Sequence, residues 1–223
     1  MKKTFFSIIS VLAGMSIYAQ FSAGMKTGPN FSSLTGDSVG NNKYKLALHI
    51  GSFINYSFND NFSVQGELLF SAKGAKSQTH FEAEALGVNA ITDVKATYNL
   101  NYIDIPIMFQ ATLNDGVFFN AGIQPSFLLS ARNYGKTTFS TNFLGIKVSK
   151  NFNETNEDKL GLKYADVGVV IGTGYQAKSD LNVGLRANIG LGDIDKNNLK
   201  TNNLLFQAAI GYTFGKRKSI EIN

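Results

Sequence analysis

The chain has 223 residues, 43% hydrophobic and 17% charged, with a formal net charge of +5. That is too apolar for disorder and lean in charge for a soluble surface. The absence of Cys excludes a disulfide framework, a thiolate metal site, a cysteine nucleophile and a lipid-modified N-terminal Cys, and two His residues leave little for an all-protein zinc site. Gly at 22, Phe at 18 and Tyr at 9 against only 3 Pro point to strands and tight turns.

The first 19 residues have the pattern of a secretory signal peptide. Lys2 and Lys3 give a positive start, Phe5 to Met15 a short apolar stretch, and Ala19 a small residue before Gln20. The apolar stretch is too short for a membrane-spanning helix, which needs about 20 residues. Removing residues 1–19 takes two Lys and no acid out of the +5, leaving +3. That is too small a charge to argue for nucleic acid. Three parts are expected: signal peptide 1–19, one domain over 20–214 and a tail, 215–223.

From residue 20 onward, eight runs alternate with period two, the strand signal. They lie near 20–30, 45–58, 62–74, 97–113, 117–131, 164–178, 181–193 and 203–214. In the second, Leu46, Leu48, Ile50, Ile54, Tyr56 and Phe58 share one face. The other face holds Lys45, Ala47, His49, Gly51, Asn55 and Ser57, with Phe53 as its one large apolar residue. In the seventh, Leu181, Val183, Leu185, Ala187, Ile189 and Leu191 oppose Asn182, Gly184, Arg186, Asn188, Gly190 and Gly192.

The connections alternate in length. Residues 59–61, 114–116 and 179–180 read as tight turns, rich in Asn, Asp and Gly. The stretches near 31–44, 75–96, 132–163 and 194–202 read as long solvated loops. An even number of strands, with short turns at one end and long loops at the other, describes an outer-membrane β-barrel with both termini periplasmic.

Alternation does not by itself say which face is inside. A soluble barrel of lipocalin type would put the apolar face inward. An eight-stranded interior is only wide enough to be filled by side chains or one small ligand, and about forty large apolar groups would overfill it. The opposite face, Gly-rich with Asn, Gln and charges, suits a narrow lumen. Phe21, Tyr56, Phe58, Phe62, Phe119, Tyr175, Tyr212 and Phe214 gather near the short turns, as an interfacial aromatic girdle does.

Four segments carry a family resemblance. They are Met25 to Leu34 with its Gly28-Pro29-Asn30-Phe31-Ser32 exit, Asn101-Tyr102-Ile103-Asp104-Ile105-Pro106-Ile107-Met108-Phe109, Gly122 to Ser130, and Gly211-Tyr212-Thr213-Phe214. The Ile-Pro strand is the most specific. Over residues 20–214 the chain resembles the porin-family, PorT-like outer-membrane β-barrel proteins of Bacteroidetes-type bacteria. Where such barrels often end on the last aromatic, this chain continues from Gly215 to Asn223. The resemblance implies a barrel and leaves activity open, because relatives on one fold differ in what their loops do.

Six charged residues have inward parity: Lys26, Glu67, Lys73, Asp104, Asp166 and Arg186. Glu67, Arg186 and Lys26 sit at similar heights above the short-turn end and form one expected ion-pair layer. The layer reads either as a gate on an ion path or as a plug, and a narrow eight-stranded bore favours the plug. Pro106, also inward, removes a ladder hydrogen bond and reads as structural, usually the mark of a bulge. His49 is expected in the same polar plug.

His80, near Ser77, Glu82 and Glu84, invites a comparison with a hydrolase triad. Spacing on a loop sets no such geometry, and a solvated loop is the expectation. Gly168 to Gly174 contains Gly-x-Gly, but a strand follows where a nucleotide-binding loop needs a helix. The third long loop carries Arg132, Lys136, Lys147, Lys150, Lys159 and Lys163 against Glu154, Glu157 and Asp158, a net +3. Its alternating Thr137–Ser149 segment suggests that strands five and six extend as a hairpin. It reads equally as an ordinary loop or as a surface for lipopolysaccharide or a protein.

The expectation is therefore an all-β, eight-stranded antiparallel transmembrane β-barrel in the outer membrane. Its role is structural or interactive; a narrow channel and a lipid-modifying enzyme are the alternatives. No catalytic residue, cofactor or metal is expected. The expected partners are outer-membrane lipid and lipopolysaccharide, the barrel-assembly machinery and a protein at the extracellular loops, with no nucleic acid.

Overall fold

The computed structural model describes residues 20–36, 42–85, 88–143, 146–156, 161–194 and 201–214. The expected signal peptide and C-terminal tail lie outside these residues. Ten strands form: β1 (Phe21–Thr35), β2 (Asn42–Ser57), β3 (Phe62–Ala85), β4 (Val88–Asp104), β5 (Ile107–Thr112), β6 (Val117–Phe143), β7 (Ile146–Asn156), β8 (Ala165–Gln176), β9 (Leu181–Gly190) and β10 (Asn202–Phe214). All pairings are antiparallel. β1 pairs with both β2 and β10, so the sheet closes on itself.

Closure comes from eight staves, because β4 and β5 share one. Both lie between β3 and β6. The register against each neighbour is the same on the two sides of Pro106, so the proline interrupts the ladder without a bulge. Proline has no N–H to give, but its carbonyl still accepts from Glu67 N at 2.9 Å. The irregularity between β4 and β6 lies instead at Leu129, between the Asn101 and Tyr102 pairings.

The three short turns follow their sequences. Leu113 N donates to Val117 O at 2.7 Å and Ala177 N to Leu181 O at 2.8 Å. Gly116 and Asp180 take positive φ, 94° and 65°. Asn59 Oδ1 accepts from the backbone of Asn61 and Phe62, so the side chain closes its own turn.

Two of the expected long loops are strands instead. Residues 75–85 and 88–96 continue β3 and β4 as paired strands out to Ala85–Val88. β6 runs on to Phe143 and folds back as β7, a separate strand paired with β6. The extension is thus made by the fifth stave, β6, with β7; the sixth stave, β8, starts only at Ala165. Past the levels where β2 leaves β3 and β8 leaves β6, the sheet goes on as β3, β4, β6 and β7. The reason is compositional: the Thr, Val, Ile, Phe and Tyr of these stretches suit strands, and continuous pairing satisfies backbone that a loop would leave to water.

The barrel has its apolar face outward. Leu46, Leu48, Ile50, Ile171, Leu185, Ile189 and Leu191 are all more than half exposed. Asn30, His49, Glu67, Lys73, Asp104, Gln124 and Gln207 are buried within. A globular protein in water reverses this arrangement. Phe53 keeps its inward place because Gly24 faces it, and Phe118 because Gly174 does; a Cβ at either glycine would meet the ring tip.

Candidate functional site

The lumen is built from inward side chains. Lys26 on β1 is paired with Gly51 and Gly211, and Arg186 on β9 with Gly172. These side-chain-free neighbours leave room for the two long cations to converge on Glu67 of β3. Arg186 grips the carboxylate with both ends, Nη1 to Oε2 at 2.8 Å and Nη2 to Oε1 at 2.9 Å. Lys26 Nζ reaches Oε1 at 3.0 Å, and Gln65 Nε2 donates to it at 2.6 Å. The Glu67 side chain is 0% exposed, Lys26 10% and Arg186 8%.

The next level toward the long-loop end is neutral and polar. Asn30 Nδ2 donates to Ser71 Oγ and to Ala72 O, while Asn30 Oδ1 accepts from Gln207 Nε2 at 2.9 Å. His49 Nδ1 lies 2.8 Å from that same oxygen. Sequence parity singled out the charges and His49; it missed Asn30, Ser71 and Gln207, whose polarity alone is ordinary. Their inward parity inside an apolar-outward barrel was the available signal.

Beyond this lies a second ion pair. Lys73 Nζ bonds Asp104 Oδ1 at 2.7 Å and Ser126 Oγ at 3.2 Å, and sits 4.7 Å from the centre of the Tyr102 ring. Tyr102 belongs to a buried apolar cluster with Leu100, Leu128, Ala131 and Ile194, flanked by Leu34 and Leu162. Leu162 and Ile194 come from stretches read as solvated loops, held together by Lys163 N donating to Ile194 O at 2.8 Å. Asp166 stands apart from both pairs and accepts from Asn203 Nδ2 at 2.9 Å.

The aromatic residues near the short turns face outward. Phe21 and Tyr56 have ring centroids 4.8 Å apart, Tyr56 and Phe58 5.3 Å, and Tyr212 and Phe214 5.5 Å. Phe62 stacks on Phe109 at 5.6 Å, a partner the sequence reading omitted. Phe119 and Tyr175 are exposed on neighbouring staves.

The protruding sheet has two unlike faces. Phe81, Thr92, Phe139 and Lys150 form one cross-strand row, and Thr79, Val94, Thr137 and Phe152 the next. Phe81, Phe139 and Phe152 are exposed, with Phe139 and Phe152 edge to face at 5.8 Å. The opposite face carries His80, Asp93, Thr138 and Asn151, then Gln78, Lys95, Lys136 and Asn153.

His80 therefore lies on a strand, contrary to the loop expected. Its Nδ1 is 2.7 Å from Asp93 Oδ1 and its Nε2 2.8 Å from Glu82 Oε1. Ser77 is an odd number of residues away and points to the other face, so no triad forms with it. Hydrogen bonds to Asp93, then Glu82, hold the imidazolium and raise its pKa above the ordinary value. A raised folded-state pKa stabilises this hairpin fully below the unfolded pKa, and that contribution disappears as pH rises through the higher folded value. Hydrogen exchange of the Thr79–Glu82 and Thr92–Val94 amides is expected to quicken over that window, and His80→Asn to flatten the profile.

Among the described residues no group of three or more His, Cys, Asp or Glu is placed to hold a metal ion, and no helix is long and apolar enough to cross a membrane.

A closed antiparallel barrel with polar lumen, apolar wall, short turns at one end and long hairpins at the other is an outer-membrane β-barrel. The chain belongs to the outer membrane protein beta-barrel domain family, whose model matches residues 16–196. It is a protein of the outer membrane. No similar sequence was found among curated proteins. Solved structures similar to it include Ail, the attachment invasion locus protein of Yersinia pestis (14% identity, 87% of this chain and 99% of that one, TM-score 0.45). OprG of Pseudomonas aeruginosa (15%, 88% and 95%, 0.32) and the outer membrane protease OmpT of Escherichia coli (10%, 87% and 97%, 0.29) are others.

Proposed function

We propose that this is a non-catalytic outer-membrane barrel whose lumen is closed by its own side chains and whose protruding sheet is a binding surface for a protein. The observation that carries the closed lumen is Glu67 held by cations from two sides of the bore, Lys26 and Arg186. A carboxylate gripped this way is a poor gate, because moving either partner leaves a buried charge uncompensated. The Lys73–Asp104 pair and the apolar cluster around Tyr102 add two further barriers toward the long-loop end. The exposed Phe81, Phe139 and Phe152 favour the surface role, since aromatic residues on rigid elements make good contact anchors.

In this reading residues 1–19 are a cleaved signal peptide, and the general barrel-assembly machinery inserts the chain. The lipid-facing wall meets membrane lipid and, in the outer leaflet, lipopolysaccharide. The Asn101–Phe109 strand supports a place among PorT-like barrels of Bacteroidetes-type bacteria.

Single-channel conductance in planar bilayers tests the lumen. The refolded barrel is expected to be silent, and Glu67→Ala or Arg186→Ala to give discrete openings. Steady conductance of the unaltered protein, changed by these substitutions, would make it a narrow channel instead.

A further inference from the structure

The lumen is not filled evenly. Between the Glu67 layer and the short turns is a cavity of about 360 Å³. Lys26 and Arg186 form its inner end, Gln207 and Asn120 part of its wall, and Lys178 and Asp180 its mouth. The short turns place that mouth on the periplasmic side.

Its charge is unbalanced. Glu67 neutralises one of the two cations that converge on it, and the other remains. Lys178 and Asp180 offset each other at the mouth. Hydrogen-bonding capacity is also left over. Lys26 has three N–H donors and Arg186 five, while their bonds to Glu67 use one and two. Two buried amide oxygens in the wall lack a donor, Gln207 Oε1 and Asn120 Oδ1, so a matching occupant brings an O–H as well as negative charge; these residues are 4% and 7% exposed. A cavity of 150 Å³ already holds a benzene-sized molecule, so this one holds a small solute.

We infer that the periplasm-facing cavity binds a small soluble oxyanion that also carries an O–H, of the hydrogen phosphate kind, with its anionic oxygens between Lys26 and Arg186 and its hydroxyl donating to the Gln207 or Asn120 carbonyl oxygen. Oxyanions match the guanidinium fork, and the anion supplies the charge that Glu67 cannot. The site is independent of whatever the protruding sheet contacts.

The test uses the full mature chain in zwitterionic micelles, titrated with inorganic phosphate and separately with acetate at constant ionic strength. Side-chain NMR signals of Arg186 Nε–H and the Gln207 and Asn120 amides are followed. Saturable shifts are expected with phosphate at a dissociation constant of about 1 mM or tighter, and weaker binding of acetate, which has no O–H to donate. Lys26→Met is expected to weaken binding about tenfold or more by removing a charged donor. Gln207→Leu, which leaves the charges in place, is expected to weaken phosphate several-fold and acetate not at all, since only phosphate has an O–H to give the lost oxygen. Absence of saturable shifts in the unaltered protein overturns the site whether or not either variant folds. So do shifts confined to exposed lysines, or affinity unchanged in a folded Lys26→Met. A further arm uses nanodiscs containing phosphatidylglycerol and no added phosphate: shifts of the same three signals there would assign the site to a lipid headgroup and overturn the soluble anion.

Discussion

Replacing Glu67 with alanine is expected to lower the unfolding free energy of the barrel by about 3–5 kcal/mol. The loss is large because two cations remain behind. Lys26 and Arg186 are each about nine-tenths buried, and only neutral oxygens such as Gln207 Oε1 lie near to take the carboxylate's place. Glu67→Gln keeps the shape and some hydrogen bonding and is expected to cost less. A triple replacement by apolar residues of similar volume, Lys26→Met with Glu67→Leu and Arg186→Met, is expected to be near neutral, since it removes the desolvated charges together. Urea unfolding in lipid vesicles gives these values. In a double-mutant cycle, Glu67→Ala and Arg186→Ala should couple by about 0.5–3 kcal/mol. Strict additivity would mean that the bidentate contact contributes nothing to stability.

The second large effect lies on the outer wall. Leu185→Arg is expected to destabilise by about 2–4 kcal/mol, and Leu181→Arg by only about 0–1 kcal/mol. Both leucines are exposed on β9 and point the same way. They differ in depth: Leu181 begins the strand at a short turn, whereas Leu185 is near its middle, between Thr173 and Ala208. In water, arginine at either position would change stability by no more than about 0.5 kcal/mol. Refolding yield and urea midpoints across a β9 arginine scan should therefore trace a maximum at mid-strand. A flat profile would contradict a lipid-embedded wall.

The barrel itself was legible in the chain. Period-two alternation marks a strand however the chain is folded, because successive side chains in extended backbone must point to opposite faces. Asn, Asp and Gly at 59–61, 114–116 and 179–180 mark turns for a reason equally local, their tolerance of positive φ. Even the direction of the apolar face followed from volume, since eight staves cannot enclose so many large side chains.

Other features depend on residues far apart in sequence. That Lys26 and Arg186 share one carboxylate on β3 required the β1–β10 closure and the register of five staves. Parity gives a side chain's face but no partner. The β3–β4 extension was missed, and the partner of the extended β6 was misassigned, because a long hairpin is stabilised by pairing with neighbours as much as by its own composition; β6 is held by β4 on one edge and β7 on the other. Pro106 is structural as read, but the bulge that a strand proline usually marks is absent for the same reason. Loss of an N–H is local chemistry, but whether the register slips is decided by the strands on either side. Local periodicity and turn chemistry thus determined the strands and the barrel class. Closure of the sheet decided which charges meet, where the bore is filled, and where a cavity is left.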